Sequence, residues 1–449
     1  MENLVGSVSH KIQNQRKPML PAIVQHSETL VTFILALNLA LYQPQIRHLL
    51  QIVDALLVGD ERKTLSDLSR RWKSRPDPKA LADFFRESPW TVDLLNKPRQ
   101  KFMVMKALEL ARKAGLPLRV MAGLDDSLGK KGKATRRLQA VDYHHNHNEG
   151  SRKRPSWCNG YVYVELHVQI GPFSFLFDTR LYLREKKVRQ LNRERSKANH
   201  LRYCSKYHLA QEMLIDLKEL LPDDGQVYVL FDSWYSSAKL IKFCLRQHWH
   251  VICAIKSNRK IEKQRVASYN HTLAHQPYQK ITLEAVDQRP ARTYYVRTIT
   301  GHVEHIGQRV YVIVSKKRPG DHYPKYFLCT DLALPPQEAL RIYQKRWPVE
   351  VDNLYLKEVL GLGDFRLQSF EAIQKWFAVV NVALNYLQYC AMLTYTPKQP
   401  LLSLADCKRQ HQRAHAQALL HTFVAEVKRH PTQVETIVQS FLPAEWLTT

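Results

Sequence analysis

The chain has no C-x2-C pair. Its seven cysteines (158, 204, 244, 253, 329, 390 and 407) are scattered and odd in number. A disulfide framework is therefore not expected, and reduced thiols in a cytosolic setting are. No secretory core is visible in residues 1–18, which are polar. The apolar stretch from Leu30 to Leu41 is broken by Asn38 and soon followed by Gln43 and Pro44, too short for a membrane span. Negative charge is also scarce: 41 acidic residues face 67 Lys and Arg, for a formal charge of +26. That imbalance fits a polyanionic partner, because each neutralised phosphate releases counterions. The surplus is clustered at Lys130, Lys131, Lys133, Arg136 and Arg137, at Arg152 to Arg154, and across 184–206 and 256–265.

The few acids stand at informative places. An apolar run ends at Asp125 and Asp126 in RVMAGLDDSLGKKGK, residues 119–133. A second run, Val227 to Phe231, reads as a buried strand and ends at Asp232. A third acid lies in YQKRWPVEVDNLYLK, where Tyr343, Arg346, Glu350 and Lys357 follow the spacing Y-x2-R-x3-E-x6-K. On a continuous helix these four project within roughly 60° of one another. Pro348 either bends that helix or starts it afresh. One aspartate alone would read as a helix cap or turn residue. Carboxylates at the ends of adjacent buried strands can instead converge on a divalent cation, and oxygen ligands suit magnesium or manganese.

These motifs, with FDSWY around Asp232 and YFLCTDL at 326–332, resemble the DDE insertion-sequence transposases marked by the Y-x2-R-x3-E-x6-K signature. The resemblance covers roughly residues 25–390. It implies an α/β chain: an RNase H-like catalytic core, interrupted by a β-rich insertion, between a helical N-terminal domain and a helical C-terminal tail. It implies two divalent ions, magnesium or manganese, held by Asp126, Asp232 and Glu350. Asp126 is preferred to Asp125 because the family's first aspartate precedes Thr or Ser, as Asp126 precedes Ser127. Tyr343, Arg346 and Lys357 are expected on DNA phosphates, with Lys130 and Lys131 adding contacts. The implied partners are double-stranded DNA, as transposon terminal inverted repeats and as target, and a second copy of the chain in a synaptic complex. No membrane is involved, and the setting is the bacterial cytoplasm, on the nucleoid when bound to DNA. Alternatives are a structure-selective magnesium-dependent nuclease and a catalytically idle DNA-binding descendant. Some relatives excise through a DNA hairpin and stack a flipped base on a tryptophan of the insertion. No Trp lies between 249 and 347 here, so Tyr294, Tyr295 or Tyr311 would have to substitute.

The expected organisation is a mobile arm (1–24), a helical DNA-binding domain (25–115) resembling a helix-turn-helix with Arg70 and Arg71 exposed, a core in two parts (116–261 and 333–390), an insertion (262–332) and a helical tail (391–449) whose role the residues leave open, dimer contacts being one option. Thr64 or Ser66, and Asp77, are candidate caps. Residues 160–170 and 173–183 read as a hairpin about Gly171 and Pro172. The segment 141–159 reads as a polar loop. Its His144, His145, His147, Glu149 and Cys158 match no zinc spacing. FEAIQKWFAVVNVALNYLQYCAML reads as a long buried helix.

Overall fold

The computed structural model describes residues 22–442 apart from 152, 270–272, 274 and 285–289. Residues 1–21 of the expected arm, and Arg152 of one basic cluster, lie outside them. Ile23, at the arm's far end, is buried and bridges Trp72.

Five helices come first: α1 (Glu28–Ala36), α2 (Gln43–Val58), α3 (Leu65–Arg70), α4 (Pro78–Arg86) and α5 (Val92–Lys113). Thr64 caps α3 by accepting the Asp67 amide, and Asp77 caps α4 by accepting that of Lys79. Each satisfies a donor that a helix start leaves open. These helices share one hydrophobic cluster with the sheet that follows. Arg99 of α5 is fully buried and donates to the Phe177 carbonyl (2.9 Å) and to the side chains of Asn96 (3.2 Å) and Asn385.

The sheet opens with β1 (Arg119–Lys130), β2 (Asp142–Gly150), β3 (Pro155–Ile170) and β4 (Phe173–Tyr182). Helices α6 (Glu185–Asn192) and α7 (Lys206–Lys218) precede β5 (Gln226–Phe231), and α8 (Ala238–Arg246) precedes β6 (His250–Ile255). The order β4-β3-β1-β5-β6, with β1, β5 and β6 parallel and β3 antiparallel to both neighbours, is the RNase H-like arrangement. The segment expected as a polar loop is instead β2 and the start of β3, with His144 opposite Cys158. Its polar composition concealed strands whose pairing comes from β3 running well past the core.

After the short β7 (Lys260–Ile261) and β8 (Gln264–Arg265) come β9 (Gln279–Leu283), β10 (Arg292–His302), β11 (Arg309–Lys316) and β12 (Lys325–Cys329). The inserted strands do not form a body of their own. β12 pairs antiparallel with β6, so the insertion continues the core sheet as β6-β12-β11-β10-β9. Next come α9 (Pro336–Gln344) and α10 (Pro348–Leu354), the latter followed by a single π turn, Tyr355–Val359. Last are α11 (Phe370–Leu393), α12 (Leu404–Arg429) and α13 (Val434–Phe441). α11 is long and apolar enough to cross a membrane, yet 83% of its most apolar window is buried inside the protein, against α2, α5 and β4. It is a core helix.

Strand alternation divides β1 and β5 between two faces. Val120, Ala122, Leu124, Val229 and Phe231 join the cluster that contains Leu214 of α7 and Ile241 of α8. Met121, Tyr228 and Leu230 point the other way and pack with Ile252 against Ala339, Leu340 and Ile342 of α9.

Candidate active site

That division decides which acids meet. In the parallel register Leu124 stands beside Phe231, so the next residues, Asp125 and Asp232, are in step. Counting by twos from Met121 and Leu230 puts both on the face covered by α9 and α10. Asp126 points to the opposite face, where Lys206 of α7 donates to its Oδ2 at 2.5 Å.

Glu350 reaches the same face as Asp125 from α10. Pro348 is the first residue of that helix, so the chain restarts after α9 rather than running through. Arg346, between the two helices, donates to Asp125 Oδ2 (2.6 Å) and to Glu350 Oε1 (3.3 Å), bridging the strand and helix acids. Asp232 Oδ1 accepts the backbone amides of Trp234 (2.8 Å) and Tyr235 (3.3 Å), which fixes the carboxylate at the mouth of β5.

Several contacts seat α10. Val349 packs over Gly123 so closely that a Cβ on that glycine would come within 2.9 Å of the valine methyl. Asp352, buried, takes His167 Nδ1 at 2.5 Å and Gln388 Nε2 at 2.8 Å. Asn353 accepts the Tyr163 hydroxyl. In the π turn, Lys357 donates to Ser127 Oγ (2.6 Å) and to the Leu128 carbonyl (2.9 Å). Single π turns of this kind are frequent at functional sites.

The cluster is electrostatically strained. Burial pushes the Asp125 carboxyl up to about 7; Arg346 opposes that rise, and the charges of Asp232 and Glu350 add to it. Glu165, directly across from Asp125 on β3, is fully buried, and neither of its oxygens has a hydrogen-bond partner. Its carboxyl is held well above the usual range, first by burial and then by Asp352, Asp125 and Glu350. The acids share one face without closing into a ligand cage, since no three of them bring their oxygens within 4.8 Å of one another; their all-oxygen chemistry is of the kind that suits a hard divalent cation.

The expected site residues therefore fall into two groups. Asp232, Glu350, Arg346 and Lys357 gather at one place, with Tyr343 behind them, its ring 4.8 Å from that of Phe327. Burial raises the Tyr343 phenol to about 12. Asp126, expected as the first acid, is replaced in this group by Asp125, because alternation turns it away. Arg346 and Lys357, expected on phosphates, are engaged with the site's own acid and hydroxyl groups. Lys131, expected on DNA, turns inward to the carbonyls of Gly363 and Phe365. Lys130 stays at the surface in an ion pair with Glu149. Glu165, Asp352 and His167 were not foreseen. A lone acid within the apolar run GYVYVELHVQI was the available signal for Glu165.

Sheet order and the three gathered acids define the class, an RNase H-like core with an acidic centre. The family described as DDE superfamily endonuclease matches residues 41–304, more than half of the chain, and the chain belongs to that family. The match includes Asp125 and Asp232 and ends before Glu350. No curated protein matches the chain. Among solved structures it is similar to a piggyBac transposase seen by cryo-EM in a synaptic complex with hairpin DNA, at 13% identity over 94% of this chain and 81% of that one, with a TM-score of 0.44. Likeness at that level carries no argument about activity.

Two outcomes test the geometry. Gly123→Ala should displace α10, cost about 1–3 kcal/mol in stability and lower activity; Val349→Ala in the same chain should restore part of both. Equal activity and unfolding midpoint for Gly123→Ala and the unaltered protein would mean that α10 is not seated there. The second concerns pH in chelator-treated protein. A carboxyl raised in the native state binds protons there more tightly than when unfolded, so its contribution falls as pH rises from about 4 to about 7. Asp125→Asn should remove that decline and gain on the order of 2 kcal/mol at pH 8, read from urea midpoints. An undiminished decline in the variant would contradict the assignment.

Proposed function

We propose that this endonuclease is a DNA transposase, which cleaves at transposon ends and joins the freed 3′-hydroxyl to target DNA. The observation that carries the reading is the gathering of Asp125, Asp232 and Glu350 on one face of an RNase H-like sheet. Asp125, Asp232 and Glu350 would hold divalent ions, magnesium or manganese. When bound, two such ions supply an activated water and stabilise the leaving 3′ oxygen.

The chain's own residues do the rest. Arg346 offers a planar, bidentate cation beside the acids, suited to a phosphate once the acids are neutralised. Tyr343 backs that guanidinium from a partly buried position. Lys357 holds β1 against the helix through Ser127 and Leu128. Lys206 and Lys256 lie over the Trp234 ring, at 5.9 and 5.7 Å from its centre, and bring positive charge to the loop that follows Asp232. Phosphate contacts of this kind place the strand without reading its sequence. Two copies would hold the two ends of one element, acting on cytoplasmic DNA.

The test uses the full chain, magnesium, and DNA ends carrying the inverted repeats that flank its coding region. Asp125→Asn, Asp232→Asn and Glu350→Gln should each lose at least about a hundredfold in cleavage rate. Asp126→Asn should stay within about tenfold of the unaltered chain. An inactive Asp126→Asn beside an active Asp125→Asn would overturn the assignment of the first acid. Cleavage with no joined product on supplied target would reduce the function to a nuclease.

A further inference from the structure

A second set of metal-binding side chains lies away from the acidic centre, where α12 crosses α2. Asp54 of α2 is fully buried. His411 and His415 of α12 stand one turn apart and are 4% and 3% exposed. Nε2 of His415 lies 3.0 Å from Asp54 Oδ1, and Nε2 of His411 lies 3.3 Å from the same oxygen. His26, just before α1, places Nδ1 2.8 Å from Asp54 Oδ2. With metal–ligand distances near 2.0–2.1 Å, neighbouring ligands of a tetrahedral zinc ion stand about 3.3 Å apart. The two spacings at Asp54 Oδ1, 3.3 Å to His411 and 3.0 Å to His415, are near that value, and His26 hydrogen-bonds the other oxygen.

Two further observations bear on the site. His411 Nδ1 is 3.2 Å from the Tyr386 hydroxyl, which orients the ring and turns its buried Nε2 toward Asp54 Oδ1. The second observation is the composition of α12. Its buried residues are Cys407, Lys408, His411 and His415, with no aliphatic side chain among them. A helix of 26 residues held by such a stripe gains little from apolar burial.

We propose that Asp54, His411 and His415 bind a structural zinc ion, with His26 holding the other oxygen of Asp54, and that this ion ties α12 to the N-terminal helices. Two imidazoles and one carboxylate suit zinc better than magnesium. His26 also lines a surface cleft of about 430 Å³ with Ile46, Leu50 and Trp72, which gives an ion a route in. This site is independent of the acidic centre and does not act in cleavage.

The test begins with the unaltered full chain. Zinc content by mass spectrometry should be about one ion per chain, and cobalt(II) added after chelation should give the visible absorption of a tetrahedral nitrogen and oxygen site. Chelation should lower the thermal midpoint, and zinc should restore it. His411→Ala and His415→Ala should each weaken zinc binding at least tenfold, while Asp125→Asn should bind zinc as the unaltered chain does. Failure of the folded, unaltered chain to take up zinc or cobalt would overturn the proposal, whatever the variants do. So would a sulfur ligand in the X-ray absorption spectrum, which would place the ion at Cys204, His208 and Glu212 instead.

Discussion

The seat of α10 on the sheet is the constraint on which the acidic centre depends. Glu350 is useful only if its helix lies close over β1, and closeness there rests on Gly123. With no side chain at that position, Val349 descends onto the strand, and Arg346 comes within reach of Asp125. Buried polar bonds then fix the helix against sliding: His167 and Gln388 on Asp352, and Tyr163 on Asn353. Such a network specifies one position, because a shifted helix would leave buried groups unpaired.

The seat has an electrostatic consequence. It brings Glu350 to Asp125 and Asp232, with Glu165 buried behind them. Like charges at that density oppose folding unless they are protonated, paired or shared by a cation. Arg346 offsets part of the charge at Asp125, whose carboxyl is raised first by burial and then by its acidic neighbours.

Much of this was legible in the residues. The strand ending at Asp232 and the helix bearing Glu350 follow from apolar runs and from the 3.6-residue repeat. Pro348 marked where the helix restarts. The choice within Asp125–Asp126 was not legible from neighbouring residue types, because it depends on strand parity relative to β5. That parity is set by long-range pairing, Leu124 beside Phe231, which no local pattern records. The same limit hid the strands of 142–159, which lack an apolar face of their own. It also hid the continuity of the insertion with the core sheet, since strand-like segments do not announce their partners. The cluster of Asp54, His411 and His415 is more extreme: Asp54 is more than 350 residues from the two histidines in sequence and meets them only because α12 returns to α2.

The central claim is that Asp125, Asp232 and Glu350 form one divalent-ion site. Crystals of the full chain soaked in manganese, with anomalous diffraction recorded near the manganese edge, test it most directly. The account predicts anomalous density between the oxygens of Asp125, Asp232 and Glu350, with Arg346 drawn away from the carboxylates it now bridges. Density coordinated by Asp126, or none within reach of Glu350, would contradict it.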